Sequence, residues 1–196
     1  MKQKNTQLNK VHGFTLLELL FVSTTIFILL SLGMSSFFSL LQQQKVIVEF
    51  NRLAGMLNHA RTLSIQSGQA ITVCGSQDQV HCDGSWNQQY IAFFDANNNL
   101  QVDTPIEFVL QTKTPKADVF DIRWSAFGRQ QYLKFLPTGI TAHHNGTFTL
   151  CHKNNKYSRA LSITKSGRIR KSRDSNGDGI HEIHLGRAIK CNSPSH

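Results

Sequence analysis

The chain of 196 residues is long enough for one long helix and one compact domain. Its formal net charge of +9 is concentrated at the end, because residues 151–196 carry ten basic and three acidic side chains, whereas residues 14–150 carry eight and nine. This asymmetry suggests an anionic partner, although a solvated basic surface would have the same composition. No enzyme and no cofactor are expected, since the sequence lacks a Gly-x-Ser-x-Gly turn, a phosphate-binding loop and a His-Glu-x-x-His motif.

The N terminus combines a basic polar leader with a long apolar run. Residues 1–13 contain three lysines and no acid, and no charged residue occurs from Leu19 to Gln44. A run of this length can span a bilayer of ~30 Å hydrocarbon as a helix, with the basic leader on the cytoplasmic side. Glu18 lies inside the apolar run, where a charge costs roughly 2.5–3.5 kcal/mol on insertion scales. We therefore expect Glu18 to have a partner.

The junction Gly13-Phe14-Thr-Leu-Leu-Glu18 closely resembles the class III leader of type IV pilins and pseudopilins. The alternative is an ordinary membrane anchor in which this motif occurs by chance. The resemblance implies that a prepilin peptidase cleaves the Gly13–Phe14 bond and methylates the new amine. It also implies that Glu18 pairs with the N-terminal amine of a neighbouring pilin during assembly.

The pattern becomes amphipathic after Gln44, which favours a second, one-sided half of the same helix. The apolar residues at helical spacing are Phe50, Leu53, Leu57, Ala60 and Leu63. Gly68 is a plausible end, so the prediction is one helix from about Thr15 to Ser67, ~80 Å long at 1.5 Å per residue. The predicted domains are a leader (1–13), a transmembrane and assembly half of the helix (14–43) and a globular domain (44–196) that ends in the basic tail (151–196).

After the helix, short β-rich runs alternate with turns. The runs are 70–74, 89–94, 106–110, 132–136, 146–151 and 159–164, separated by turns such as Asn145-Gly146 and Ser166-Gly167. This order resembles the GspH/FimT-like minor pilins and pseudopilins, in residue types such as Phe93-Phe94-Asp95 and Phe135-Leu-Pro-Thr-Gly139. The resemblance implies an α+β, type IV pilin-like fold, in which a long N-terminal helix packs on antiparallel β-sheets.

The four cysteines follow the apolar run, on the side that is expected to be oxidising. Four cysteines allow three disulfide connectivities. We favour Cys74–Cys82, which closes a short loop, and Cys151–Cys191, which would tie the basic tail to the core. A zinc site is the alternative, although no Cys-x-x-Cys occurs.

The basic tail contains the candidate binding residues. In an extended segment Arg168 and Arg170 would share one face and point outward, while Ile169 points inward. Arginine forks match phosphate oxygens, and several such contacts give affinity without base reading. Gly167-Arg168-Ile169-Arg170 also matches the Gly-Arg-x-Arg motif of FimT-like pilins, which implies binding of DNA. The candidate DNA-binding residues are Arg168, Arg170, Lys171, Arg173, Lys153, Lys156, Arg159, Lys165 and Gly167. An exposed hairpin without a ligand, or one that binds another polyanion, remains open.

Two acidic loops have the spacing of calcium ligands. Asp174-Ser-Asn176-Gly-Asp178-Gly179 places oxygen donors at positions one, three and five of a calcium loop, but Leu185 stands at position twelve, where Glu182 could substitute. The segment from Asp95 to Asp103 has similar spacing. A plain polar turn is favoured at both places, so no metal site is predicted.

The sequence thus predicts a FimT-like minor pilin that binds DNA, without sequence preference, for uptake in natural transformation. Its other expected partners are major and minor pilins, the prepilin peptidase and, before assembly, the inner membrane, which the chain would cross once with its globular domain in the periplasm. The assembled pilus would expose that domain at the cell surface. The alternative is a structural pseudopilin at the tip of a type II secretion filament that binds no nucleic acid.

Overall fold

The computed structural model describes residues 13–103, 109–113, 115, 120–183 and 186–191. Most of the predicted leader, residues 1–12, lies outside the described residues, as do the first three residues of the strand predicted at 106–110. The chain divides after Leu41 into two compact units, which are described separately below.

One long helix is followed by short strands. Helix α1 spans Leu16–Ser67. Within the described residues the strands are β1 (Ile71–Gly75), β2 (Tyr90–Phe94), β3 (Val109–Lys113), β4 (Phe120–Ala126), β5 (Tyr132–Phe135), β6 (Gly146–His152), β7 (Arg159–Ile163), β8 (Ile169–Lys171), β9 (Glu182–Ile183) and β10 (Arg187–Ala188). Short 3-10 turns occur at Phe127–Arg129 and Asn155–Tyr157.

Local chemistry explains where α1 begins and ends. The backbone amide of Glu18 donates a hydrogen bond of 3.2 Å to Oγ1 of Thr15, which therefore caps the N terminus. Gly68 follows the last helical residue with a φ of +65°, a left-handed conformation that glycine adopts without a steric penalty. The helix predicted from about Thr15 to Ser67 is confirmed.

The first unit exposes the apolar side chains of α1. Phe21, Phe27 and Leu29 are among the large apolar residues that remain open to solvent in the described chain. No helix in the described part of the chain is both long and apolar enough to cross a membrane. The membrane span predicted for residues 14–43 is thus not confirmed and stays a prediction.

In the second unit the remainder of α1 forms one wall of the hydrophobic core. Phe50, Leu53, Leu57 and Ala60 are buried and Leu63 packs against them, as the helical spacing predicts. The strand residues in the same cluster include Ile71, Val73, Leu133, Phe135, Phe148, Leu150, Leu161 and Ile163. Both sheets therefore contribute to a core that also contains the helix.

The strands form two four-stranded sheets with the orders β3-β2-β1-β5 and β4-β6-β7-β8, while β9 and β10 pair as a separate ribbon. Every pairing is antiparallel. The predicted α+β fold, a long N-terminal helix with antiparallel β-sheets, is confirmed. Strand β8 lies at one edge of the second sheet, where Arg170 stands opposite Ser162 of β7.

Both predicted disulfides are present. Cys74 and Cys82 are joined across eight residues, and Cys151 and Cys191 across forty, with Cα–Cα distances of 5.5 Å in each case. All four sulfurs are therefore used in covalent bonds, which leaves no thiolate for the zinc alternative. The second bond joins the inner sheet strand β6 to the end of the described tail.

A charged network lies inside the second unit. Nζ of Lys134 is 2.6 Å from Oδ2 of Asp95, and the two side chains are 6% and 0% exposed. The same carboxylate oxygen accepts a hydrogen bond of 2.8 Å from Oγ1 of Thr72, and the ammonium also donates to Oδ1 of Asn98. The burial of these two charges is tolerated only because they are paired with each other and hydrogen-bonded.

Candidate nucleic-acid interface

The turn that precedes the arginines is built around Gly167. Its amide donates to the carbonyl of Thr164, and the amide of Thr164 donates to the carbonyl of Arg168 at 3.1 Å, which closes the hairpin between β7 and β8. Gly167 has a φ of +74°, and a Cβ atom there would overlap the carbonyl oxygen of Gly139. Gly167 is therefore required by the turn, so that its part in the site is to position Arg168 rather than to contact a ligand.

Arg61 fixes this turn to helix α1. Its Nε donates a hydrogen bond of 2.9 Å to the carbonyl of Gly139, and its NH2 nitrogen donates one of 3.1 Å to the carbonyl of Ser166. One guanidinium thus holds two turns against the helix. The sequence analysis missed Arg61, because nothing local distinguishes a structural arginine on a helix from a solvated one.

The two central arginines differ in exposure, with Arg168 directly before strand β8 and Arg170 within it. Ile169 packs against the hydrophobic core opposite Ile163, as predicted. Arg168 is exposed, whereas Arg170 is half-buried opposite Ser162. Nε of Arg170 is buried and forms no hydrogen bond within the described residues. Arg168 is consequently the more accessible of the two cations, whereas the unpartnered Nε of Arg170 is enclosed by the protein.

Lys171 also contacts helix α1. Its Nζ donates a hydrogen bond of 2.9 Å to Oδ1 of Asn51 and stands 5.5 Å above the ring of Phe50. Alternation along β8 puts Lys171 on the side of Ile169, towards α1. Lys171 still lines the same depression of the surface as the arginines, so its part in binding DNA stays a prediction. Its contact with Asn51 remains exposed, so its charge still adds to the surface.

Arg159 is buried, in contrast to the other predicted cations. It is only 9% exposed, and its NH1 nitrogen donates to the carbonyls of Lys156 and Ser158 at 3.0 and 2.8 Å. Burial lowers the pKa of this guanidinium. The alternation that puts Leu161 and Ile163 inside puts Arg159 inside as well, so it cannot meet a polymer at the surface.

The other predicted cations are exposed. They are Lys153, Lys156, Lys165 and Arg173. Of these, Arg173 joins Arg168, Arg170 and Lys171 around one shallow depression of the surface. Lys156 lies instead beside Gly179, since a Cβ atom on that glycine would stand 3.4 Å from Cδ of Lys156. We use the term arginine surface for Arg168, Arg170 and Arg173.

A polar row crosses the outer face of the second sheet and ends at this surface. Ser125, Thr147, Ser162 and Arg170 stand opposite one another on the neighbouring strands β4, β6, β7 and β8. Oγ1 of Thr147 is 3.3 Å from Oγ of Ser162. Hydroxyl groups and guanidinium nitrogens donate hydrogen bonds that phosphate oxygens can accept. The row therefore adds further hydrogen-bond donors, across the sheet, to those of the edge strand.

Comparison with known proteins shows the family. The family model described as type II transport protein GspH matches residues 49–167, which run from the second part of α1 to the glycine of the arginine turn. The chain belongs to this family. The match confirms the resemblance to GspH/FimT-like minor pilins, and it makes this GspH-family chain a minor pilin or pseudopilin. No curated protein matches it by sequence.

The solved structures that resemble this GspH-family chain distantly include a minor pilin and a minor pseudopilin. The type IV minor pilin FimU of Pseudomonas aeruginosa PAO1 is 20% identical with a TM-score of 0.49, over 63% of this chain and 84% of that chain. The minor pseudopilin EpsH from the type 2 secretion system of Vibrio cholerae is 12% identical with a TM-score of 0.48, over 65% and 95%.

Proposed function

We propose that this chain is a FimT-like minor pilin that binds extracellular DNA through the arginine surface and delivers it for natural transformation. The observation that supports this most strongly is the placement of Arg170 on the edge strand β8 and of Arg168 directly before it, after a turn that Arg61 holds to helix α1. An edge strand leaves one side open to a long polymer. The fixed turn reduces the conformational freedom that the cations would otherwise lose on binding.

Phosphate is the chemical group that this arrangement fits. Arginine forks bind phosphate oxygens in pairs, and neither Arg168 nor Arg173 forms a salt bridge within the described residues. The excess of ten basic over three acidic residues in the tail raises the local concentration of a polyanion. These contacts reach the backbone of DNA and not its base edges, so binding is independent of sequence.

Titration of labelled DNA with the full-length chain in detergent tests the function. Fluorescence anisotropy should show binding to 30-nucleotide single strands and 30-base-pair duplexes of unrelated sequence. The log of the binding constant should fall linearly with the log of the salt concentration between about 50 and about 200 mM, with a slope of roughly −0.9 per phosphate contact on duplex DNA. Absence of binding even at the lowest salt concentration would rule the proposal out.

A structural role in secretion is the second candidate. The description of the matching family as a type II transport protein favours it. In that case the chain would occupy the tip of a type II secretion filament and bind no nucleic acid. The same titration separates the two functions, because only the pilus function requires affinity for DNA at moderate salt.

We further propose that the chain is made as a precursor in the inner membrane, with its globular domain in the periplasm. Cleavage after Gly13 would free the amine of Phe14, and Glu18 of a neighbouring subunit would neutralise it in the filament. The exposed apolar side chains of α1 support burial in a membrane or among other pilin helices.

Intact-mass analysis of sheared filaments checks processing and assembly together. Wild-type protein should begin at Phe14 and carry one methyl group. Glu18→Ala should leave the protein in the membrane fraction and reduce its amount in filaments, because a buried amine without its carboxylate is costly. Uncleaved protein in filaments, or the variant at the wild-type level, would contradict these two roles respectively.

A further inference from the structure

The loop between Arg173 and Glu182 follows the arginine surface directly. The two residues form an antiparallel bridge, in which each amide donates to the carbonyl of the other at 3.2 and 2.7 Å. The segment 174–181 is therefore a hairpin loop with a fixed base. Every second position of this segment carries a side chain with an oxygen atom, except position 180, which is isoleucine. The sequence is Asp174-Ser-Asn176-Gly-Asp178-Gly179-Ile-His-Glu182.

The backbone of the loop is already wound in the way that a calcium loop requires. Both carboxylate oxygens of Asp174 accept hydrogen bonds from the amides of Gly177 and Gly179, at 2.8 and 2.9 Å. Gly179 occupies position six, where calcium loops use glycine for a sharp turn, and its φ is +82°. The acidic side chains are consequently gathered on the inside of the loop rather than spread along it.

Three carboxylates converge there. One oxygen each of Asp174, Asp178 and Glu182 lies within 4.8 Å of the others. Oxygens that bind one calcium ion at about 2.3–2.6 Å stand at most about 4.6–5.2 Å apart, so this spacing allows a single ion to reach all three. In the described residues no lysine or arginine forms a salt bridge with any of the three, and their protein partners there are hydrogen-bond donors of the loop.

Glu182 supplies an independent sign of a ligand. Its side chain is 93% buried, since only 7% of the residue is exposed. Oε2 accepts hydrogen bonds from the amide and hydroxyl of Ser175, at 2.8 and 2.6 Å, whereas Oε1 is buried and has no hydrogen-bond partner within the described residues. A buried carboxylate oxygen without a partner carries a large desolvation cost, which a bound cation would remove.

We propose that this loop binds one calcium ion through the carboxylates of Asp174, Asp178 and Glu182. Asn176 at position three and the carbonyl of Ile180 at position seven complete an oxygen-rich set of the kind that calcium prefers. Glu182 at position nine replaces the acid that is missing at position twelve. This proposal replaces the expectation of a plain polar turn and does not depend on DNA binding.

Calorimetric titration of the chelator-treated full-length chain in detergent with CaCl₂ tests the site. Wild type should bind one ion with a Kd of ~10⁻⁴–10⁻³ M, the range of extracellular calcium modules. Asp178→Asn removes an exposed ligand and Glu182→Gln a buried one, and each should weaken binding at least about tenfold, because affinity follows the number of ligand charges. Circular dichroism in the absence of calcium verifies that each variant is folded.

Asp103→Asn is the matched control, since it removes one charge from the loop with similar spacing elsewhere in the chain. It should bind calcium like wild type. Absence of binding at ~10 mM CaCl₂ would overturn the proposal, as would unchanged binding in both site variants or a loss of binding in the control. Equal affinity for MgCl₂ would overturn the assignment to calcium.

Discussion

Replacing Arg168 and Arg170 together by glutamine is expected to weaken DNA binding roughly 100-fold at low salt, since each hydrogen bond to a charged group contributes about 1.5–3 kcal/mol. Glutamine keeps most of the side-chain length but cannot offer a charged fork. The slope of log affinity against log salt concentration should also become shallower by about 0.9 for each lost contact on duplex DNA. Fluorescence anisotropy at several salt concentrations measures both quantities.

A control variant that loses the same number of positive charges elsewhere tests whether the position of the arginines matters. Lys45 and Arg129 are exposed and lie outside the tail. The double variant Lys45→Gln/Arg129→Gln also removes two positive charges, so it should change affinity by less than about threefold if binding is local. Equal weakening in both double variants would mean that only the net charge matters. Binding of the arginine variant at the wild-type level would place the interface elsewhere.

Lys134→Met should lower the free energy of unfolding by about 3–5 kcal/mol, the largest stability effect that we expect of a single substitution. Methionine fills a similar volume, but it leaves the buried carboxylate of Asp95 without its cation. That carboxylate already has one oxygen, Oδ1, that is buried and without a hydrogen bond in the described residues. The remaining hydrogen bond from Thr72 cannot compensate for a whole charge.

Urea unfolding, followed by the fluorescence of Trp86 and Trp124, measures this effect as a lower midpoint at an unchanged slope. Lys165→Met is the control, because Lys165 is exposed and its replacement should alter the free energy by no more than about 0.5 kcal/mol. A change below about 1 kcal/mol for Lys134→Met would indicate that Asp95 becomes protonated or hydrated at little cost.

The sequence predicts those parts of the fold that depend on short-range periodicity. The apolar stripe of α1 and the alternation of Leu161 and Ile163 specify which face is buried, whatever the neighbouring elements are. Gly68 and Gly167 likewise mark a helix end and a turn, because both have positive φ values. The six predicted strands differ from the observed ones at their ends, where pairing with a neighbour decides the last residue. Strands β4, β9 and β10 were not predicted.

The side-chain partners in the candidate interface could not be predicted in this way. Lys171 is exposed, as its charge predicts, but its Nζ also lies 5.5 Å from the ring centroid of Phe50, which is 121 positions earlier in the chain. Arg159 was predicted to be a binding residue because of its charge, although the alternation of its own strand places it on the buried face. Arg61 forms contacts 78 and 105 residues away, for which the sequence contains no local signal. Charge predicts exposure well only when no carbonyl or aromatic ring is within reach.

The disulfide between Cys151 and Cys191 turns the basic tail into a covalent ring. The ring contains Arg168, Arg170 and the loop from Asp174 to Glu182. A protease that cuts a single peptide bond between residues 152 and 190 therefore releases nothing, since both new ends stay joined through the sulfur bridge. In the extracellular pilus proposed above, the loss of the arginines from the protein would require two cuts, or one cut together with a reductant.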